Sequence, residues 1–257
     1  MSQLSALVLN ASDFAGPPAV HALLAGGYRV YAADRVFDQP TARQAFAEAH
    51  PDAILLAGEG PEQWVQRAWA EAGRIEALIS NDHFPALQRA TEQVPPDDLR
   101  ATLEALVVAP FRAIQAAIPL FRKQGGGNIV MITSCRTKLP IPGGAVPDAA
   151  RDAANALMRS FAVEFAPDNI AINAVAPNFL YSEAYYPRAV YLDDAKGREF
   201  VAQSVPAGRL GRPEEIGDVI RFLATTPSRF LTGAQIDFSG GWPSAPIRLA
   251  DRIRARE

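Results

Sequence analysis

Two side chains with chemical potential stand out by type and position. Ser134 closes the apolar, strand-like run IVMITS, and Arg151 lies on the helix-like stretch that follows. A hydroxyl and a permanently charged guanidinium at one site suit an oxygen-bearing or anionic ligand. Proton transfer needs a third group, and the stretch between them does not supply one. Pro147 has neither a titratable group nor a hydroxyl, and no tyrosine occurs from Leu139 to Arg151. Asp148 is adjacent, but a helix turns by about 100° per residue, so its carboxylate is expected to point elsewhere. Tyr181, Tyr185, Tyr186 and Tyr191 cluster farther along and offer phenols, although nothing in the sequence positions any one of them. Cys135, next to Ser134, reads as packing on the opposite face of the strand. His21, His50 and His83 are scattered and form no ligand set with Cys135, so zinc is not expected.

The elements that must position these residues alternate from end to end. Strand-like runs are read at Ser5–Leu9, Arg29–Ala33, Ala53–Ala57, Ala77–Ser80, Asn128–Thr133, Ala171–Val175 and Ala234–Phe238. Helix-length patterns fall at Pro17–Gly26, Thr41–His50, Pro61–Ala72, Asp97–Lys123, Asp148–Ala166 and Pro213–Thr225. Near-continuous apolar strands belong in a parallel sheet covered on both faces. The alternation therefore predicts a single doubly wound, Rossmann-like α/β domain over residues 1–257 with a seven-stranded parallel sheet. Pro177 to about Gly208, dense in Tyr and Pro, is read as a long irregular lid, too long for an ordinary connection. The charged tail Ser244–Glu257 is expected on the surface or against a neighbouring subunit.

The turn after the first strand, VLNASDFAG, decides what such a fold can hold. A dinucleotide fold keeps glycines there so that backbone N–H groups approach the pyrophosphate at a helix start. In short-chain dehydrogenases the turn is Thr-Gly, three residues, Gly, one residue, Gly. Here Leu9-Asn10, Phe14 and Gly16 fill those positions. Phe14 is expected to project where nicotinamide and phosphates would lie, so no nicotinamide cofactor is expected. Asp34, at the end of the second strand, reads as a solvated loop acid rather than a ribose ligand.

With this turn the chain resembles the halohydrin dehalogenases, cofactor-free relatives of the short-chain dehydrogenases. That family's turn is Thr, four residues, Phe or Tyr, one residue, Gly; Phe14 and Gly16 match, and Leu9 replaces the threonine. LISNDHF (Leu78–Phe84), Ser134, Arg151 and Pro177-Asn178-Phe179-Leu180, with Tyr186-Pro187 beyond, match further segments. The resemblance implies a vicinal haloalcohol closing to an epoxide with release of halide, and reverse epoxide opening by small anions. It assigns Ser134 to positioning the substrate oxygen and Arg151 to lowering the pKa of a tyrosine base. Phe14, Asn178, Phe179, Leu180 and Tyr186 become the halide and substrate wall. The family's tyrosine falls at Pro147, and loss of a general base costs about 10²–10⁴-fold in rate. Three outcomes stay open: a pocket without catalysis, a base recruited from elsewhere, or ligand binding without proton transfer. Two competing functions are a nicotinamide-dependent short-chain oxidoreductase and a non-catalytic binding or assembly subunit.

Bulk properties narrow the partners. Apolar residues make up 49% and charged residues 21%, with a net charge of -3, which gives no reason to expect nucleic acid or an anionic membrane. The apolar runs are read as shorter than the ~20 residues needed to cross a bilayer. The N-terminus lacks a signal-peptide pattern and the lone Cys135 cannot form an internal disulfide, so a cytoplasmic location is expected. Small apolar positions on the two long helices (Ala113, Ala116, Ala117, Ala153, Ala154, Ala156) permit close helix packing, and a homotetramer is expected.

Overall fold

The computed structural model describes residues 3–58, 60–86 and 88–244. Its strands are β1 (Ser5–Leu9), β2 (Arg29–Ala33), β3 (Ile54–Leu56), β4 (Ala77–Ser80), β5 (Gly127–Ile132), β6 (Ile170–Pro177) and β7 (Gln235–Phe238). They form one seven-stranded sheet in the order β3-β2-β1-β4-β5-β6-β7, and every pairing is parallel. β1, β4, β5 and β6 are buried along their whole length, which is why their sequences lack polar alternation. Side chains alternate between two cores. Leu7 and Leu9 join Ile114, Phe121 and Met158 on one face. Ala6 and Val8 join Val20, Leu23 and Ile220 on the other.

The helices are α1 (Gly16–Ala25), α2 (Pro40–Ala49), α3 (Pro61–Ala72), α4 (Pro96–Leu103), α5 (Ala109–Gln124), α6 (Ala145–Phe165), α7 (Arg188–Tyr191), α8 (Ala195–Ser204) and α9 (Pro213–Thr225). The expected doubly wound architecture is present, with α3, α5 and α6 packing into one core and α1 and α9 into the other. Three expectations need correction. The helix read as Asp97–Lys123 is α4 and α5 joined by a wide π turn over Glu104–Val108. That turn falls just before Pro110, whose ring and missing N–H conflict with α-helical bonding to the preceding turn. The same stretch, Pro96–Gln124, is long and apolar enough by composition to cross a bilayer, contrary to the reading of short apolar runs. Its Ala113, Ile114, Ala117, Ile118 and Phe121 are instead packed in the core beneath the sheet. Finally, the lid is not irregular throughout, because α7 and α8 fold within it. Phe179, Val201, Val205 and Leu210 give it a small core of its own, flanked by Tyr181, Tyr186, Tyr191 and Trp242. Of the tail, all but Ser244 lies outside the described residues.

The chain reverses its course along the sheet between β1 and β4. Crevices at the carboxyl ends of strands beside such a switch point are where open α/β sheets hold ligands.

Candidate functional site

A cavity of about 400 Å³ opens at the carboxyl ends of β4, β5 and β6, beneath the lid. Ser134, Pro147, Arg151, Phe14, Asn178, Phe179, Leu180 and Tyr186 all line it, so the site residues expected from the sequence meet in one place. Phe84, Thr133, Arg136, Tyr185, Tyr191 and Trp242 also line it.

The turn between β1 and α1 closes the side where a dinucleotide would enter. Asn10 and Phe14 hold positive φ angles of 51° and 55°, so the left-handed bends that glycine usually provides survive with side chains attached. Gly16 remains glycine for a steric reason: a Cβ there would lie 2.5 Å from the Ala11 carbonyl oxygen. Asn81 Nδ2 donates to the carbonyls of Asn10 (2.8 Å) and Asp13 (2.9 Å), pinning the turn to the end of β4. Asp34 departs from its expected role. It is buried, and Oδ2 accepts from the Ser12 backbone N–H at 3.0 Å and from the Ser12 hydroxyl at 2.6 Å. Its other oxygen caps a short helix through the Val36 N–H at 3.0 Å. The acid that would grip ribose hydroxyls is thus engaged by the turn itself. With Phe14 in the mouth, these residues do not fit a dinucleotide in its usual seat.

Ser134 lies two residues beyond the end of β5 rather than on it, because the pairing of β5 with β6 ends at Ile132 and Val175. Its hydroxyl donates to the Pro177 carbonyl at 3.1 Å and accepts from the Arg136 N–H at 3.1 Å. Asn155, one turn beyond Arg151 on α6, donates to the Ser134 carbonyl at 3.0 Å and fixes the backbone. The hydroxyl therefore ties the β5 and β6 ends together while facing the cavity, with one lone pair left for a ligand. Beside it, Thr133 Oγ1 is buried on the same wall and has no partner among the described residues. Cys135 is not on the strand either; it precedes a short helical turn, is fully buried, and burial pushes its thiol up to about 12.

Arg151 is buried and, among the described residues, is held by oxygen acceptors rather than by a salt bridge. Nη1 donates to the Asp82 carbonyl at 2.9 Å, with the Ile132 carbonyl farther off at 3.5 Å. Nη2 donates to the hydroxyl of Tyr185, from the lid, at 3.2 Å. That phenol also donates to the Phe84 carbonyl (2.7 Å) and accepts from the Phe84 N–H (3.1 Å). Its ring stands edge-on to Phe14, centroids 5.0 Å apart. One chain of contacts thus runs from the first turn through the end of β4 and Arg151 to the lid. The Asp82 side chain belongs to it, accepting from Ser80 Oγ at 2.7 Å and Asn10 Nδ2 at 3.3 Å. Burial raises its carboxyl to about 7, against the opposing pull of the Ser80 hydrogen bond and the Arg151 charge. Asp148 is turned away, as expected, in a 2.6 Å ion pair with Arg136.

The lid wall is aromatic. Phe179, at a positive φ of 55°, packs 5.3 Å from Tyr186, and Tyr186 stands edge-on to Tyr191 at 5.0 Å. The Tyr186 hydroxyl donates to Asn178 Oδ1 at 2.9 Å, and burial pushes that phenol up to about 12. It remains a neutral donor across the working pH range. Periodicity and spacing do not choose among the four lid tyrosines, and they leave Asp82 as one residue of the LISNDHF segment. The acid's place immediately after a central strand is the available signal, since that is where the crevice must open.

Known proteins bear on this geometry in two ways. A family model described as enoyl-(acyl carrier protein) reductase matches residues 18–243. Dehydrogenase/reductase SDR family member 4 of Pongo abelii is 29% identical over 251 residues, covering 93% of this chain and 87% of that protein. An uncharacterized oxidoreductase of Methylorubrum extorquens is 32% identical over 180 residues, covering 69% of each. Among solved structures, one described as a dehalogenation enzyme is 35% identical with a TM-score of 0.89, covering 94% of this chain and 98% of that one. A halohydrin dehalogenase bound to ethyl (2S)-oxiran-2-ylacetate is 28% identical with a TM-score of 0.90 over the same shares. Sheet order, the matched span and these relatives together make the chain a member of the short-chain dehydrogenase/reductase superfamily.

Proposed function

We propose that this protein handles vicinal haloalcohols and epoxides as halohydrin dehalogenases do, without a nicotinamide cofactor. The observation that carries the reading is the first turn: Phe14 fills the mouth, and Ser12 takes up the Asp34 carboxylate. What remains is a cavity of about 400 Å³, a size for a small molecule, with a hydroxyl and a buried guanidinium on one side and aromatic rings on the other. Aromatic ring edges and the backbone of the Asn178–Leu180 bend suit a departing halide, which has charge but no directional demands. The likeness to a halohydrin dehalogenase with an oxirane bound supports the same substrate class.

Catalysis follows from the roles left to the chain's own groups. Ser134 Oγ can hold the substrate oxygen, and Arg151 supplies a fixed positive charge to the same cavity. Pro147 supplies nothing to accept a proton. Halide release from a simple bromoalcohol, or azide-driven epoxide opening, is expected from the parent protein or, where the parent is silent, from Pro147→Tyr, since a phenol gained by a site without a base is worth about 10²–10⁴-fold. Neither reaction in either protein, with the fold intact, would defeat the reading.

The rival reading is a nicotinamide-dependent oxidoreductase, favoured by the reductase names among sequence relatives. It needs NADH or NADPH to bind in micromolar amounts, which fluorescence titration would reveal. A binding or assembly subunit is the third reading and predicts neither reaction nor cofactor binding. Self-association fits any of the three: Phe111 on α5 and Val163 on α6 are exposed apolar side chains on the two long helices, and a homotetramer is the proposed assembly.

A further inference from the structure

We infer that Tyr185, reaching in from the lid, is the proton-accepting group of this site in place of the phenol that position 147 lacks; the inference rests on the haloalcohol reading above. Residues 147 and 151 stand four apart on α6 and so share one face of the helix. A guanidinium at 151 is placed to meet a phenol from 147, and with proline there it meets the Tyr185 hydroxyl at 3.2 Å instead. Of the cavity tyrosines, this is the one bonded to a cation. Tyr186 spends its hydroxyl on Asn178 and is held neutral by burial, and Tyr191 packs edge-on against Tyr186.

The surroundings of the Tyr185 oxygen suit a negative charge. Two N–H donors, from Arg151 and from Phe84, already point at it. For the step to balance, the phenol's own proton, directed to the Phe84 carbonyl, must first be given up to solvent. Its ring lines the cavity and is held by the edge-on contact with Phe14. In the step itself the substrate O–H proton passes to the Tyr185 oxygen. The substrate oxygen then forms a C–O bond to the neighbouring carbon as the C–halogen bond breaks, and its electron pair departs with the halide. Haloalcohol becomes epoxide, halide and one proton on Tyr185, which solvent removes.

The test uses Tyr185→Phe, which keeps the ring and deletes the oxygen, together with Pro147→Tyr in the same background. Halide release from a simple bromoalcohol is measured, and bromide binding is followed by the fluorescence of Trp242 on the cavity wall. Tyr185→Phe is expected to lower kcat by about 10²-fold or more, with KM and bromide binding within about twofold. Adding Pro147→Tyr is expected to restore turnover, because the pocket is unchanged and only the phenol's point of attachment differs. Activity of Tyr185→Phe within about threefold of the parent overturns the assignment. So does loss of bromide binding along with activity, which would mark Tyr185 as a mere lid clasp. A parent protein that releases no halide also overturns it. Bromide binding and a gain from Pro147→Tyr would then show that the pocket reading survives, whereas failure of both would end that reading too.

Discussion

The turn after β1 and the lid after β6 face each other across one crevice, and they treat their polar groups differently. At the turn, polar groups are consumed internally: Ser12 takes Asp34, Asn81 takes two carbonyls, and Phe14 covers the opening. Beneath the lid, at the end of β5 and in the lid itself, groups are held but can be shared. Ser134 keeps a lone pair, Thr133 Oγ1 has no partner among the described residues, and Tyr185 can exchange the Phe84 carbonyl for a ligand. Closing a site costs nothing when every donor finds an acceptor nearby, whereas a binding site must leave some capacity unspent. The same Rossmann-like frame thus spends its polar groups at the first turn and keeps some of them in reserve beneath its lid.

Asp82 joins the two regions and gives the largest expected effect on stability. Its carboxyl, raised to about 7 by burial, keeps its proton in the folded protein over a pH range where the unfolded chain has released it. Stability attributable to this group is therefore greatest near pH 4, falls as pH climbs to about 7, and is level above. Asp82→Asn removes the titration. It is expected to leave stability nearly unchanged near pH 4 and to raise it by roughly 2–4 kcal/mol at pH 8, as read by urea unfolding. A variant that destabilises equally at both pH values would mean that the carboxylate is ionised and paired to Arg151. The turn and the lid would then be linked by charge rather than by a neutral hydrogen-bonded bridge.

The fold is legible in the sequence because its signals are local. Unbroken apolar strands such as β5 and β6 and proline at helix starts such as Pro61 and Pro213 need no knowledge of the rest of the chain. Most of the cavity wall is legible for a related reason: Phe14, Ser134, Arg151 and Asn178 follow strands or share a helix face, so register alone gathers them. Tyr185 is not. It enters through a lid whose path depends on the packing of α7 and α8 around Phe179 and Val201, and nothing periodic marks which of four tyrosines meets Arg151. Asp34 is hidden for a simpler cause. Its partner is Ser12, and a contact between two loops leaves no trace in either segment.

A smaller effect tests the turn alone. Phe14→Gly relieves a left-handed backbone at a bulky residue, worth about 1–2 kcal/mol, but forfeits the edge-on contact with Tyr185, about 0.5–1.5 kcal/mol, and the ring's partial burial against the core, about 1–2 kcal/mol. The losses outweigh the relief, so unfolding free energy is expected to fall by about 1 kcal/mol. Cofactor binding is the sharper readout. Because Ser12 still engages Asp34, NADH is expected to bind Phe14→Gly no more tightly than about millimolar, an affinity near 4 kcal/mol. Micromolar binding to that variant would reduce the difference between turn and lid to one aromatic ring.

The smallest change requires no mutation and probes the lid end. Cys135 adjoins Ser134, yet its side chain is fully buried and its thiol is pushed up to about 12 by burial, with the Asp237 charge adding to the effect. Thiolate, not thiol, attacks disulfide reagents, so at pH 8 only about one molecule in 10⁴ would be reactive, against roughly a quarter for a free cysteine. A thiol reagent such as 5,5′-dithiobis(2-nitrobenzoate) is therefore expected to label the native protein thousands of times more slowly than the urea-unfolded chain. Bromide or a haloalcohol should leave that slow rate unchanged, since the ligand would occupy the cavity face of Ser134 and Cys135 lies behind it. Rapid native labelling that ligand suppresses would instead mean that the β5 end opens with the lid. The shared hydrogen bonds there would then belong to a moving part rather than to a fixed wall.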